Sequence, residues 1–166
     1  MPRVQAEELE ALHPSSYGWA LGCCGYDREE AQDVLQAVYV KVLEGGARFD
    51  GASTLKTWLF AVIRRTAAER RRRRWMRALA FDRWRQRSVA PALPDPEQEA
   101  HGAESARRLR AALRALPRRQ REIVHLVFYQ DLSLDDAARV SGISAGSART
   151  HYHRAKARLR AILVGP

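Results

Sequence analysis

Leu116-Pro117, Arg121-Glu122, Ser133-Leu134-Asp135-Asp136-Ala137-Ala138 and Ser141-Gly142-Ile143-Ser144, followed by Arg149, His153 and Arg154, form the most informative part of this chain. It reads as two short helices around a tight turn, a helix-turn-helix that sets the end of a basic helix in the major groove of duplex DNA. Ser133 is an N-cap with Asp136 three residues on, an acidic variant of the capping box. Ala138 is small where two helix backbones must approach, and Gly142 follows where the turn favours positive φ. Ser144 caps the second helix, in which Ala148, Tyr152, Ala155, Leu159 and Ile162 recur at helical spacing as the expected buried stripe. The other faces carry Ser147, Arg149, Thr150, His153, Arg154, Lys156 and Arg158. Hydroxyl and guanidinium groups near a helix N-terminus suit base edges, and those further along suit phosphates. Arg149 is the first candidate for a base edge, because a guanidinium donates twice to guanine. His151 and His153 do not share a helical face, so no metal site is expected there.

Composition agrees with a polyanionic partner. The 166 residues carry a formal charge of +10 and a pI near 10.5, and suit one or two small domains. The distribution is uneven. Residues 1–50 hold four Arg/Lys against nine Asp/Glu, whereas residues 51–166 hold twenty-five against ten. One end is poorly suited to nucleic acid and the rest is suited to it, which implies two kinds of partner. Cys23 and Cys24, the only cysteines, are adjacent, which disfavours a structural disulfide, and they lack a zinc-ligand spacing. They are read as small packing residues in a reducing compartment. No run approaches the roughly 18 apolar residues of a membrane span, and no charged-then-apolar leader opens the chain. A cytoplasmic protein without membrane insertion is expected.

The rest of the chain also reads helical. Residues 6–12 open a first helix that Pro14 interrupts or restarts before Tyr17–Cys24. Asp27 caps a helix over about 28–44 with Ala31, Leu35, Val38 and Val42 inward. Gly45-Gly46 stops it, and Phe49-Asp50-Gly51-Ala52-Ser53 reads as a loop. Thr54 caps the next helix, with Leu55, Leu59, Val62 and Ile63 as its stripe and Trp58 beside it, running into the arginines Arg70 to Arg74. Residues 75–87 stay amphipathic through Trp75, Leu79 and Trp84. Pro91, Pro94 and Pro96 with Asp95, Glu97 and Glu99 then mark a flexible linker. The expected fold is all-α, with helical domains over 1–87 and 103–166 joined by residues 88–102.

Laid out together, the two halves resemble an alternative bacterial sigma factor of the sigma-70 family, extracytoplasmic-function type. The first half carries the resemblance in Pro14, Asp27-Arg28-Glu29-Glu30-Ala31, Asp33-Val34-Leu35-Gln36, Arg48-Phe49 and Leu55-Lys56-Thr57-Trp58-Leu59-Phe60 followed by Arg64. The second carries it in Leu113, Leu116-Pro117, Arg121-Glu122, the Ser133–Ala138 helix start, Gly142-Ile143-Ser144, Gly146-Ser147 and His153-Arg154-Ala155. The resemblance implies a region 2 helical bundle and a region 4 helix-turn-helix. It also implies a protein that binds bacterial core RNA polymerase, directs it to promoter DNA and helps open the duplex. Catalysis would lie with the polymerase, no cofactor or metal is implied, and a separate anti-sigma factor is the expected restraint.

The resemblance makes Asp33 and Gln36 the candidate polymerase contacts, with Ala37 where the family usually has an acid. Phe49, Asp50 and Ser53, with Lys56, Trp58, Arg64, Arg65 and Thr66, become candidates for the start-proximal element and its extruded non-template base. Trp58 or Phe60 would be the stacking surface, although a core role for Trp58 fits its spacing better. Arg65 and Glu69 stand where the family often has Asn and Asp. The five consecutive arginines cover every helical face, so a mixture of phosphate contacts and solvated charge is expected. Ser147, Arg149, Thr150, His153 and Arg154 are the candidates for the upstream element. Ala137 and Ala148 replace larger aliphatic residues, which implies a less tightly packed hairpin. A stand-alone helix-turn-helix regulator would account for the second half but leave the acidic Asp33–Gln36 face unexplained. A nucleic-acid enzyme lacks support in any carboxylate cluster, metal-ligand spacing or phosphate-cradling loop.

Overall fold

A computed structural model describes residues 3–82 and 103–164. The expected linker and Trp84 fall outside the described residues. The chain divides into two units, 1–96 and 97–166, and the described residues of both are helical, without strands.

The first unit is a bundle of α1 (Ala6–Cys23), α2 (Arg28–Leu43) and α3 (Leu55–Asp82), each packed on the other two. α1 opens with the Gln5 N–H donating to the Glu8 carboxylate at 2.9 Å. Pro14 neither ends nor restarts the helix, which runs through it. A proline in mid-helix removes one backbone bond and costs about 3 kcal/mol in isolation. Here Pro14 is exposed, and buried Leu9 on one side with Ser16, Trp19 and Ala20 on the other anchor both halves to the same core. Asp27 caps α2 by accepting from the Glu30 N–H at 3.0 Å. Ala31, Leu35, Val38 and Val42 are buried as their spacing requires, and Val34 joins them. Thr54 caps α3 by accepting from the Thr57 N–H at 3.1 Å. Trp19 and Phe60, both fully buried, stack at 6.0 Å, and the Trp19 indole N–H donates to the Phe60 carbonyl at 3.0 Å. Burying an indole is favourable only when its N–H is satisfied; this bond joins α1 to α3 at the centre of the bundle. Past Ala67 the helix leaves the core, and Trp75, Met76, Leu79 and Phe81 are exposed.

The second unit comprises α4 (Ala103–Arg114), α5 (Arg118–Val124), a π-helical turn (His125–Tyr129), α6 (Leu134–Ser141) and α7 (Ala145–Val164), with α7 packed on α4, α5 and α6. Leu116, Val124 and Ala155 form a buried cluster, with Leu113 and Leu159 against it. Glu122 is buried but accepts from Arg118 at 3.0 Å and Arg119 at 3.3 Å, and Arg119 also donates to the Ser141 carbonyl. Ser133 accepts from the Asp136 N–H at 3.0 Å and donates to the Asp136 carboxylate at 2.7 Å. α6 ends at Gly142, φ 64° and ψ 38°. Bonds from Ile143 N–H to the Ala138 carbonyl and from Gly142 N–H to the Arg139 carbonyl form a Schellman turn. A side chain at Gly142 would be strained there by its positive φ alone. Ser144 caps α7, accepting from the Ser147 N–H at 3.1 Å. One expectation needs correction: Ile162 is exposed, because the stripe of α7 loses its partners near the helix end. Ala137 and Ala148 are fully buried between the helices of the hairpin. The π-helical turn was absent from the sequence reading.

Candidate nucleic-acid and partner interfaces

On α2, Asp33 and Gln36 are both exposed and one helical turn apart. Gln36 lines a groove of about 680 Å³ with His13 and Tyr17 of α1 and Leu35, Tyr39 and Leu43 of α2. A 3.0 Å hydrogen bond joins His13 Nδ1 and the Tyr39 hydroxyl between the two helices. Asp33 is held from α3: Arg70 Nη2 donates to its Oδ2 at 2.9 Å, while Arg70 Nε and Arg74 Nη1 donate to Glu30 at 3.1 and 3.0 Å. The Glu30 side chain is only 15% exposed, so it meets two guanidinium groups in a partly desolvated place. Arg70 and Arg74, one turn apart, therefore face the acids of α2, while Arg71, Arg72 and Arg73 are exposed. The arginine tract is thus in part a brace between α2 and α3, a fate the sequence reading did not include. Its partners are some forty residues away, and no local spacing rule connects them.

The loop before α3 is ordered by short-range bonds. Asp50 Oδ1 accepts from the Ala52 N–H at 3.0 Å, Gly51 takes φ 77°, and the Ser53 hydroxyl donates to the Thr54 carbonyl. Phe49 closes onto Trp58 with ring centroids 5.4 Å apart. Both are half-buried, so Trp58 is neither a full core residue nor a free platform. Lys56 sits nearby with its Nζ over the Phe60 ring at 5.6 Å. Phe49, Asp50, Ser53, Lys56 and Trp58 are thus gathered at the start of α3, with Arg64 half-buried and Arg65 exposed further along. Thr66 does not join them. It is buried on the face that carries Ile63 and Ala67, which corrects its candidacy as a strand contact. Phe60 is likewise removed as a stacking surface by its burial against Trp19.

Cys23 is buried and Cys24 half-buried, and neither is in a disulfide. Burial, aided by the negative charges of Glu30 and Asp27, pushes the Cys24 thiol up to about 11. A thiol so held stays protonated and reacts slowly, in keeping with a packing role.

In the second unit, Ser147, Arg149, Thr150, His153 and Arg154 are all exposed on α7, away from buried Ala148 and Ala155. The Ser147 hydroxyl accepts from Ser144 at 2.9 Å, and Thr150 Oγ1 donates to the Gly146 carbonyl at 3.0 Å. Arg149 Nη2 donates to Asp135 Oδ1 of α6 at 3.3 Å. Phe128 stacks on Tyr152 at 5.9 Å, and Lys156 Nζ lies over the Tyr152 ring, 5.3 Å from its centroid. His151 is half-buried while His153 is exposed, and the described residues hold no group of three or more His, Cys, Asp or Glu placed for a metal ion. No described helix is long and apolar enough to cross a membrane.

Both units match known families in order: the Sigma-70 region 2 model over residues 9–77 and the Sigma-70, region 4 model over residues 106–159. The ECF RNA polymerase sigma factor SigX of Bacillus subtilis is 31% identical over 131 residues, covering 77% of this chain and 68% of the relative. The chain belongs to the ECF RNA polymerase sigma factors. EcfG of Rhodopseudomonas palustris, another ECF sigma factor, is 30% identical over 158 residues, 95% of this chain and 83% of that one. In a solved structure, the sigma factor RpoE of Bartonella quintana, in complex with the anti-sigma factor NepR, is similar to this sigma factor with a TM-score of 0.71. It is 26% identical, with 96% of each chain covered. The α1–α3 bundle lies mainly within the region 2 match, and the α6–α7 hairpin falls in region 4, within this sigma factor's more basic part.

Proposed function

We propose that this sigma factor docks on bacterial core RNA polymerase through the exposed face of α2 that carries Asp33 and Gln36, and that its two units then grip promoter DNA. The α7 face of Ser147, Arg149, Thr150, His153 and Arg154 takes the upstream element as duplex, with Arg149 at a base edge and the later cations on phosphates. The Phe49–Ser53 loop and the start of α3 take the start-proximal element, first as duplex and then as non-template single strand. Extruding a base costs a few kcal/mol. The Phe49–Trp58 pair offers an aromatic surface, and Asp50, Ser53, Lys56, Arg64 and Arg65 offer polar and phosphate contacts that recover it. Residues 1–87 act as region 2, 88–102 as the linker and 103–166 as region 4. The protein makes and breaks no bonds itself and works in the cytoplasm with the polymerase. The relative bound to NepR supports an anti-sigma factor as the restraining partner.

The observation that carries this reading is the pairing, in one chain and in family order, of an acidic exposed α2 face with a basic exposed α7 face. Run-off transcription tests it. Core polymerase supplied with this protein and a library of promoter duplexes should initiate at discrete sites, and the selected templates should share two separated elements. Specific DNA binding with no new transcript would overturn the reading in favour of a stand-alone regulator.

A further inference from the structure

The two adjacent acids that open α6 are used differently. Asp136 is half-buried and turned back onto the Ser133 hydroxyl, completing the cap. Asp135 is turned outward, its side chain 65% exposed, and accepts at 3.3 Å from Arg149, whose own side chain is 56% exposed. The pair spans the turn of the hairpin, from the first residues of one helix to the start of the second turn of the next.

Resting on the reading of α7 as the upstream-element helix, we propose that Asp135 is a specificity-determining positioning residue that aims Arg149 at a base edge. A carboxylate on this surface works against binding as such. It repels phosphates and cancels part of the charge of the arginine beside it. Its effect on Arg149 is of another kind. The guanidinium is a planar fork of five N–H donors on a flexible stem, equally able to reach a phosphate or the O6 and N7 of guanine. Engaging one N–H of Nη2 biases the fork toward one orientation, as far as an exposed pair can, and leaves the other donors available. The charge of Asp135 also disfavours phosphate at that nitrogen. Asp135 thus exchanges affinity for discrimination, tilting Arg149 from the backbone toward a base pair.

The test uses the full chain assembled with core polymerase and a library of promoter duplexes randomised across the upstream element, bound and then sequenced. Asp135→Asn should flatten preference at one base pair by about two- to fivefold, leave the other positions unchanged, and raise affinity for unrelated duplex. The salt slope of that unrelated binding should steepen by about one as Arg149 takes a phosphate. Asp135→Glu should restore preference at the same position, and adding Asp135→Asn to Arg149→Ala should change base preference no further. A uniform loss at all positions, or a profile unchanged by Asp135→Asn while Arg149→Ala flattens one position, would overturn the role of Asp135 alone. A profile untouched by Arg149→Ala would overturn both it and the base-reading role of Arg149.

Discussion

Asp33 illustrates how much of a side chain's behaviour is set by its neighbours. As an exposed acid on α2 it is available to a basic partner, yet Arg70 already donates to it at 2.9 Å. Exposed pairs of this kind contribute about 0–1 kcal/mol, so a partner can compete for Asp33 at little cost. Glu30, at 15% exposure and holding both Arg70 and Arg74, is different, because removing its partners leaves a partly buried charge unmatched. Substitutions at Asp33 and Arg70 should therefore separate. Asp33→Arg should weaken competition for core polymerase by about tenfold or more, as attraction to a basic partner is lost and replaced by repulsion. Arg70→Gln should cost about 1 kcal/mol of folding stability while leaving polymerase binding nearly intact. Equal loss of polymerase binding in both variants would mean that the brace, and not the docking charge, had been measured.

Among the elements, the π-helical turn between α5 and α6 has consequences beyond its five residues. Its wide turn leaves Leu126 fully buried and Phe128 and Tyr129 each 57% exposed, and it sets His125 half-buried with Nε2 3.2 Å from the Gln130 amide nitrogen. Burial lowers His125 from 6.5 to about 4. Above pH 6.5 the ring is neutral folded and unfolded, and contributes no pH dependence. Between 6.5 and about 4 only the unfolded chain takes the proton, so stability falls as pH falls, by about 3 kcal/mol over the interval, and then levels off. Urea unfolding of the full chain at pH 7, 5.5 and 4.5, beside a His125→Gln variant that cannot titrate, should show the difference between the two proteins shifting against the wild type by about 2 kcal/mol over that range. A constant difference would place the wild-type proton elsewhere.

Taken whole, the protein sets a net acidic first fifty residues against a net basic remainder. Binding of the free chain to duplex DNA should therefore be dominated by released counterions. For about five phosphate contacts, affinity should fall by two to three orders of magnitude between about 50 and 200 mM salt, measurable by titration of a labelled duplex. A flat response would mean that the arginines are spent within the protein. The helices, the caps Asp27, Thr54, Ser133 and Ser144, the turn at Gly142 and most of the inward stripes were legible in the sequence alone, because each depends on residues within about four positions of one another. So was the family, since its motifs are local too. Which charges are free was not legible. That Arg70 and Arg74 serve Glu30 and Asp33, that Arg149 answers to Asp135, that Thr66 and Phe60 are buried and that Pro14 is tolerated all depend on partners brought from fourteen to some forty residues away, or on the packing that surrounds them. Local chain chemistry determined the elements and the family; tertiary packing alone decided which polar groups remain to meet polymerase and DNA, because hydrogen bonding and desolvation act through space and not along the chain.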